Sequence, residues 1–473
     1  MSETNTIALN APGIISAPAK IGGSGIAESF QLKEASALTR LALPMTATAL
    51  VNMGMSVTDV ALMSWIGPQA VAAGAIVSDF YSIIFYLGAG VIAAAAPEIA
   101  QAVGAGRSHV VRRATQQGLW MAAMMSIFMF IGVWFTGSFL GAFGIDADIV
   151  GEGKGYAAWM AMTIVPMMGV TLWRNVYAAV GMPRVFLIAT LAALPINAAA
   201  DYVLMFGIGD WQGMGLAGAG VASAIVAIGI FVGLGFYASK NSTMSRYHFF
   251  SRFPAPDLKR LKEMVRIGAP IGFTNLAEMG VYLLSTLVAG LFGIKALAAH
   301  AITLRLCGIF YAIPVGLSQA ATVRVGHAVG AKDTDAIGVA ARNAMILSII
   351  GGSAAMAAIL MAGDGLAWLF LDTADANAAA IAAIATPLLM ALGVIQIGTG
   401  LGVVGSGILR GLKDTKMPMI FSCISYWGVG TIVFAIMVFG ADFQTTGIWV
   451  GLAAGSLAST VLNGLRVRKK LKA

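Results

Sequence analysis

Long apolar runs, broken at intervals by short polar connections, fill the chain almost from end to end. Runs of 18 or more apolar residues mark helices that cross a bilayer, at about 20 residues each. The pattern predicts twelve spans, near 38–65, 70–96, 115–142, 156–180, 184–207 and 215–238, then 266–292, 296–322, 340–362, 380–409, 417–440 and 446–465. Residues 1–36 are polar to mixed and rich in Ala, Gly and Ser. They lack the basic start, apolar run and small-residue cleavage site of a signal peptide, so a disordered cytoplasmic tail is expected there.

The polar connections sort by charge. One set carries Lys33 and Arg40, Arg107, Arg112 and Arg113, Arg174 and Arg184, the stretch 240–266, Arg324, Lys332 and Arg342, Arg410, Lys413 and Lys416, and the closing run from Arg466 to Lys472. The alternate set is mostly acidic, with Asp146, Asp148, Glu152, Asp210, Asp364, Asp372, Asp375 and Asp442. Positive connections stay in the cytoplasm, which predicts that both termini are cytoplasmic.

The text of the chain also repeats. Shifted by about 226, the stretch from Pro44 to Ala105 returns from Pro270 to Ala331 without a gap, with roughly 19 of about 60 positions identical. Pro44 falls on Pro270, Thr48 on Thr274, Met53-Gly54 on Met279-Gly280 and Gly67 on Gly293. The expected fold is therefore an all-α integral membrane protein, twelve transmembrane helices in two six-helix repeats. Six spans per repeat make both copies enter the membrane in the same direction, so a pseudo-two-fold axis along the membrane normal should relate them, as is typical of transporters. The expected division is an N-lobe over 37–238, a basic cytoplasmic linker over 239–265, a C-lobe over 266–465 and a basic cytoplasmic tail over 466–473.

Composition agrees with this picture. The chain is 59% hydrophobic and 11% charged, too few charges to cover a soluble domain. The net charge of +8 sits in the cytoplasmic connections, so it calls for the lipid bilayer and not for nucleic acid. Cys307 and Cys423 both lie in apolar segments and read as core residues. The four histidines, His109, His248, His300 and His327, have no histidine partner one turn away, which argues against haem or a metal centre. No Walker motif and no nucleophile with its base appears, so neither ATP drive nor enzymatic chemistry is expected.

Ionisable groups inside a span cost about 2.5–3.5 kcal/mol on insertion scales and are functional candidates by default. Asp59 lies about 28 Å up the first span and Asp201 about 26 Å up the fifth, so the two share a depth. Asn197 is one turn from Asp201 on the same face, and Pro195 beside them can bend that helix. Glu278 falls near mid-membrane in the seventh span. The plain alternative for each acid is a structural hydrogen-bond network. Asp79 maps onto Arg305 under the repeat, each about 15–16 Å deep. They are expected either to pair across the cleft between lobes, as a latch on one access state, or to pair each within its own lobe.

Several motifs resemble those of the MATE (multidrug and toxic compound extrusion) transporters, above all the NorM-like branch. They are Val57-Thr-Asp-Val-Ala, Pro97-Glu-Ile-Ala-Gln through Arg107, Leu297-Ala-Ala-His300, Arg324-Val-Gly-His-Ala-Val-Gly-Ala-Lys332 and Leu409-Arg-Gly-Leu-Lys-Asp414. The resemblance implies export of small organic cations across the bacterial inner membrane, driven by inward flow of H⁺ or Na⁺, with no cofactor. It places Asp59 and Glu278 at the acids of the NorM-like coupling site. A third family acid is replaced here by Thr399, with Gln396 one turn earlier, which puts a C-lobe Na⁺ site in doubt. Asn197 and Asp201 are similar to the Asn/Asp pair of the DinF-like branch. The N-lobe site is the more complete, and two close acids sharing a proton favour H⁺. Na⁺ at Asp59, Asp201 or Glu278 is the alternative. A monomer is expected. The runner-up function is a lipid-linked oligosaccharide flippase of the same superfamily, which should place basic residues where this chain places acids.

Overall fold

A computed structural model describes residues 24–472, apart from 143, 145, 252 and 373–374; for 24–30 and Asp364 the backbone alone is described. The expected disordered tail falls largely outside the described residues, but its last part is helical. Helix α1 runs from Ser24 to Ile66, continuing through Pro44. It is followed by α2 (Pro68–Ala93), α3 (Ala95–Gly104), α4 (Ser108–Trp134), α5 (Thr136–Ala142), α6 (Ala147–Ala179), α7 (Pro183–Phe206), α8 (Leu216–Lys240) and the short α9 (Ser242–Ser245). The second half holds α10 (Leu258–Gly290), α11 (Ile294–Ala331), α12 (Thr334–Trp368), α13 (Ala378–Gly411), α14 (Lys416–Ser422), α15 (Thr431–Ala435) and α16 (Gln444–Lys472). Twelve helical segments of the described residues are long and apolar enough to cross a membrane. Large apolar side chains such as Phe128, Ile188, Phe236, Leu287 and Val394 stay exposed on them, as a lipid solvent allows.

The breaks have local causes. The turns before α2 and α11 rest on Gly67 (φ 148°) and Gly293 (φ 95°), equivalent positions of the repeat where a side chain would be strained. Asp146 caps α6 by accepting from the Asp148 amide at 2.8 Å, and Asp333 caps α12 by accepting from Ala336 at 2.9 Å. The eleventh span is unusual: two π-helical stretches, Cys423–Gly430 and Ile436–Gly440, flank α15.

The described chain divides into two compact units. One is Ala47–Gly272; the other joins the segment ending at Thr46 to Phe273–Ala473. In the first unit α6 is central, packed on α2, α4 and α8 and burying Tyr156, Met168, Trp173 and Tyr177. In the second, α13 is central, packed on α11, α12 and α16 around Leu388, Leu392, Ile448 and Trp449. The fourth span of each repeat is thus the core helix of its unit. Small residues make this possible: Gly407 of α13 is so close to α11 that an added methyl would meet the Ser318 carbonyl carbon at 2.9 Å.

Two expected boundaries change. Glu34 and Leu38 are buried, so the first helix is ordered well before residue 37. The stretch expected as a linker packs on the first unit. Gln116 Nε2 donates to the Phe249 carbonyl at 2.8 Å, Trp120 Nε1 donates to that of Pro254 at 2.9 Å, and the Asp257 amide donates to Gln117 Oε1 at 2.8 Å. Its last residues, from Leu258, already belong to α10.

Candidate functional site

Helix α1 carries Asp59 and helix α7 carries Asn197 and Asp201 one turn apart, with α7 running unbroken through Pro195. All three sit in the first unit. The Asn197 amide nitrogen bridges the two acids, donating to Asp59 Oδ1 at 2.9 Å and to Asp201 Oδ2. The two carboxyl groups are close enough to act on each other electrostatically. Asn197 and Asp201 are fully buried and Asp59 partly so. Asp201 Oδ1 is buried with no hydrogen-bond donor among the described residues.

No basic side chain balances this pair among the described residues of its unit. Two anionic oxygens in mutual reach, one of them unsatisfied, need a positive charge or a proton between them. Tyr156 of α6 lies close to both acids, and its hydroxyl is 3.1 Å from Ser78 Oγ. Sequence reasoning missed Tyr156 and Ser78, because a hydroxyl inside a span carries no cost that would single it out.

Glu278, on α10 in the second unit, has a different setting. Its Oε2 accepts from the Tyr311 hydroxyl at 3.1 Å and its Oε1 from Ser422 Oγ at 3.4 Å. The Arg410 guanidinium is near enough to act on it electrostatically. The π-helical turn after Ser422 brings Trp427 onto the same helix, where its Nε1 donates to the Ala277 carbonyl at 2.9 Å. Arg410 ends a span, so its sequence position suggested a cytoplasmic charge and not a neighbour of Glu278.

The remaining candidates do not join either acid site. Thr399 Oγ1 is 2.8 Å from Ser456 Oγ. Gln396 lines a separate small cavity with Phe310, Ser348 and Gly400, and the Ser348 hydroxyl there has no partner among the described residues. No hydrogen bond links Gln396 or Thr399 to Glu278 among the described residues. Asp79 and Arg305 are both exposed, and neither forms an ion pair among the described residues. His300 is held structurally: Trp449 Nε1 donates to its Nδ1 at 3.2 Å, which leaves the proton on Nε2 to face Ser285 Oγ, also at 3.2 Å.

Two six-span repeats, each with a small-residue core helix and a carboxylate set inside a span, define a secondary transporter built by duplication. The sequence matches the MatE family profile over residues 44–203 and again over 270–436, and the chain belongs to this family. The two matched stretches are the two repeats. The chain is 34% identical over 445 residues to the probable multidrug resistance protein NorM of Bradyrhizobium diazoefficiens, covering 94% of this chain and 95% of that one. It is 32% identical over 435 residues to the protein of the same description from Mesorhizobium japonicum, covering 92% and 93%. In fold it is similar to the eukaryotic MATE transporter AtDTX14, with a TM-score of 0.83 at 20% identity over 93% of this chain and 98% of that one. It is also similar to a MOP superfamily transporter from Pyrococcus furiosus, described by the reversed polarity of its binding pocket, with a TM-score of 0.85 at 19% identity over 93% and 96%.

Proposed function

We propose that this chain exports cationic, amphipathic compounds by antiport against protons, with Asp59, Asn197 and Asp201 as the shared site of drug and proton. One observation carries the reading: two carboxyl groups, joined by a single amide and without a basic partner among the described residues, sit inside the span region. The NorM relatives, named as multidrug resistance proteins, support it. The site is anionic, so it attracts an organic cation. A proton arriving from outside neutralises it and releases the drug, and the loss of that proton inside resets it. Protons fit the pair because two close carboxyl groups bridged by one amide can share a single proton. Glu278 acts in the same cycle as a secondary acid, held by the Tyr311 and Ser422 hydroxyls within the field of Arg410.

The protein works as a monomer in the bacterial inner membrane, and the positive charge of its connections supports cytoplasmic placement of both termini.

The test is ethidium efflux from proteoliposomes under a pH gradient alone, then under a Na⁺ gradient alone, with wild type and Asp59→Asn. Efflux driven by pH and lost in the variant is the expected result. Efflux that needs Na⁺ makes Na⁺ the coupling ion. If neither gradient moves the dye, the flippase reading replaces export of drugs.

A further inference from the structure

The shift that superposes the two repeats sends Glu34 onto Arg260 and Glu98 onto Arg324. These four residues form two ion pairs, Glu34 with Arg324 and Glu98 with Arg260. One pair is therefore the repeat image of the other with its charges exchanged. Both acids come from the first repeat and both guanidinium groups from the second. Each pair ties the polar end of one repeat's first span, in α1 or α10, to the polar end of the other repeat's second span, in α11 or α3.

A second set of contacts repeats the exchange. Gly316 of α11 packs on α1, where an added methyl would meet the Thr46 nitrogen at 2.7 Å. Its image, Gly90 of α2, packs on α10, where a methyl would meet the Ile271 carbonyl carbon at 3.0 Å and Gly272 closer still. Thr46 and Gly272 are images of one another, and each is the last residue of a helix segment that packs with the opposite repeat. Four contacts related by one operation are a built arrangement and not chance surface pairs.

We propose that Glu34–Arg324 and Glu98–Arg260 form the gate that holds the basic, terminus-bearing side of the transporter shut, and that opening this side parts both pairs. The proposal rests on the transporter reading above. A path between two repeats that opens to alternate sides needs contacts between repeats that are made in one state and broken in the other. Placing acids on one repeat and arginines on the other makes that contact attractive, with Arg260 also shared by Asp257 three residues before it at 3.7 Å. The two pairs are unequal. Arg324 meets Glu34 through Nε at 2.7 Å and through Nη2, and both side chains are about 5% exposed or less. Arg260 Nη1 stands 3.6 Å from Glu98, with side chains 31% and 27% exposed. The hydrated pair loses less on separation, so Glu98–Arg260 parts first and Glu34–Arg324 sets the barrier.

Two cysteine pairs test the gate in full-length protein whose native Cys307 and Cys423 are replaced by alanine. One carries Glu34→Cys with Arg324→Cys, the other Glu98→Cys with Arg260→Cys. A short, reducible bifunctional thiol reagent bridging either pair should lower ethidium efflux at least tenfold, and reductant should restore it. Bridged proteins that pump as fast as their reduced forms would overturn the gate. Hydrogen exchange of the backbone gives a readout that needs no transport. Glu34→Gln should speed exchange over residues 31–46 at least tenfold. Glu34→Arg combined with Arg324→Glu should restore protection, because the other repeat already uses that polarity. Unchanged exchange in Glu34→Gln would also overturn the gate, whereas dye that moves under no gradient in the unmodified protein would instead sink the transporter reading.

Discussion

Asn197 is the residue on which the acid site turns, since its one amide nitrogen serves both carboxyl groups. Replacing it with alanine leaves two buried acids without their common donor. Hydrogen bonds to charged groups contribute about 1.5–3 kcal/mol each, so Asn197→Ala should lower proton-driven efflux roughly ten- to hundredfold. A variant that folds, by its elution profile, and still pumps at the wild-type rate would remove Asn197 from the site. Asp257 offers a simpler case outside the spans. The Arg260 backbone amide, and after it the Arg113 and Arg260 guanidinium groups, hold its carboxyl below the usual range. A lowered value stabilises the fold above the ordinary carboxylate pKa, about 3.9, and the benefit disappears as pH falls through the lower folded value. The start of α10 should therefore resist proteolysis near residues 254–260 at pH 7 and yield to it in acid below about pH 4. Asp257→Ala should yield already at pH 7.

The spans were legible in the sequence because each helix had to satisfy its own backbone in lipid with about 20 apolar residues. The helix ends were not. Residues 24–36 read as a tail because their order comes from tertiary contacts: Glu34 is buried by Arg324, a residue 290 positions away. Asp59 and Asp201 could be placed at one depth by counting residues, but the bridging role of Asn197 required the geometry. Tyr311, Ser422 and Arg410 carried no signal, because nothing in a sequence tells which hydroxyl or span-end arginine turns toward a carboxylate. Glycines are equally mute until packing is seen. Gly90 lies against the backbone of α10, whereas Gly229 of α8 faces open space. Gly229→Ala should hold or raise the melting temperature in detergent, since alanine favours a helix over glycine by about 0.5–1 kcal/mol. Gly90→Ala should lower it by several degrees, because backbone cannot give way as a flexible side chain does. Equal shifts in the two variants would mean that the approach of α2 to α10 is looser than the structure has it.

Across the whole molecule, duplication has produced two units of one architecture with opposite charge logic. The first holds two acids with no basic side chain paired to them among the described residues. The second sets Glu278 beside Arg410, a cation the chain supplies itself. Removing charge should therefore have opposite consequences in the two units. Asp201→Asn takes away an unbalanced buried charge, and the melting temperature should hold or rise while transport is lost. Glu278→Gln takes away the carboxylate whose field favours the charged Arg410, together with the acceptor of the Tyr311 and Ser422 hydroxyls. The melting temperature should fall, and adding Arg410→Gln should recover much of the loss, since removing both members leaves no unpaired ion. Thermal unfolding of the four proteins in one detergent separates the cases. If Asp201→Asn destabilises as much as Glu278→Gln, the first site is a structural network like the second, and the coupling ion must be sought at another group. If the signs differ as expected, stability has been given up in one unit only, at the site proposed to take up proton and drug.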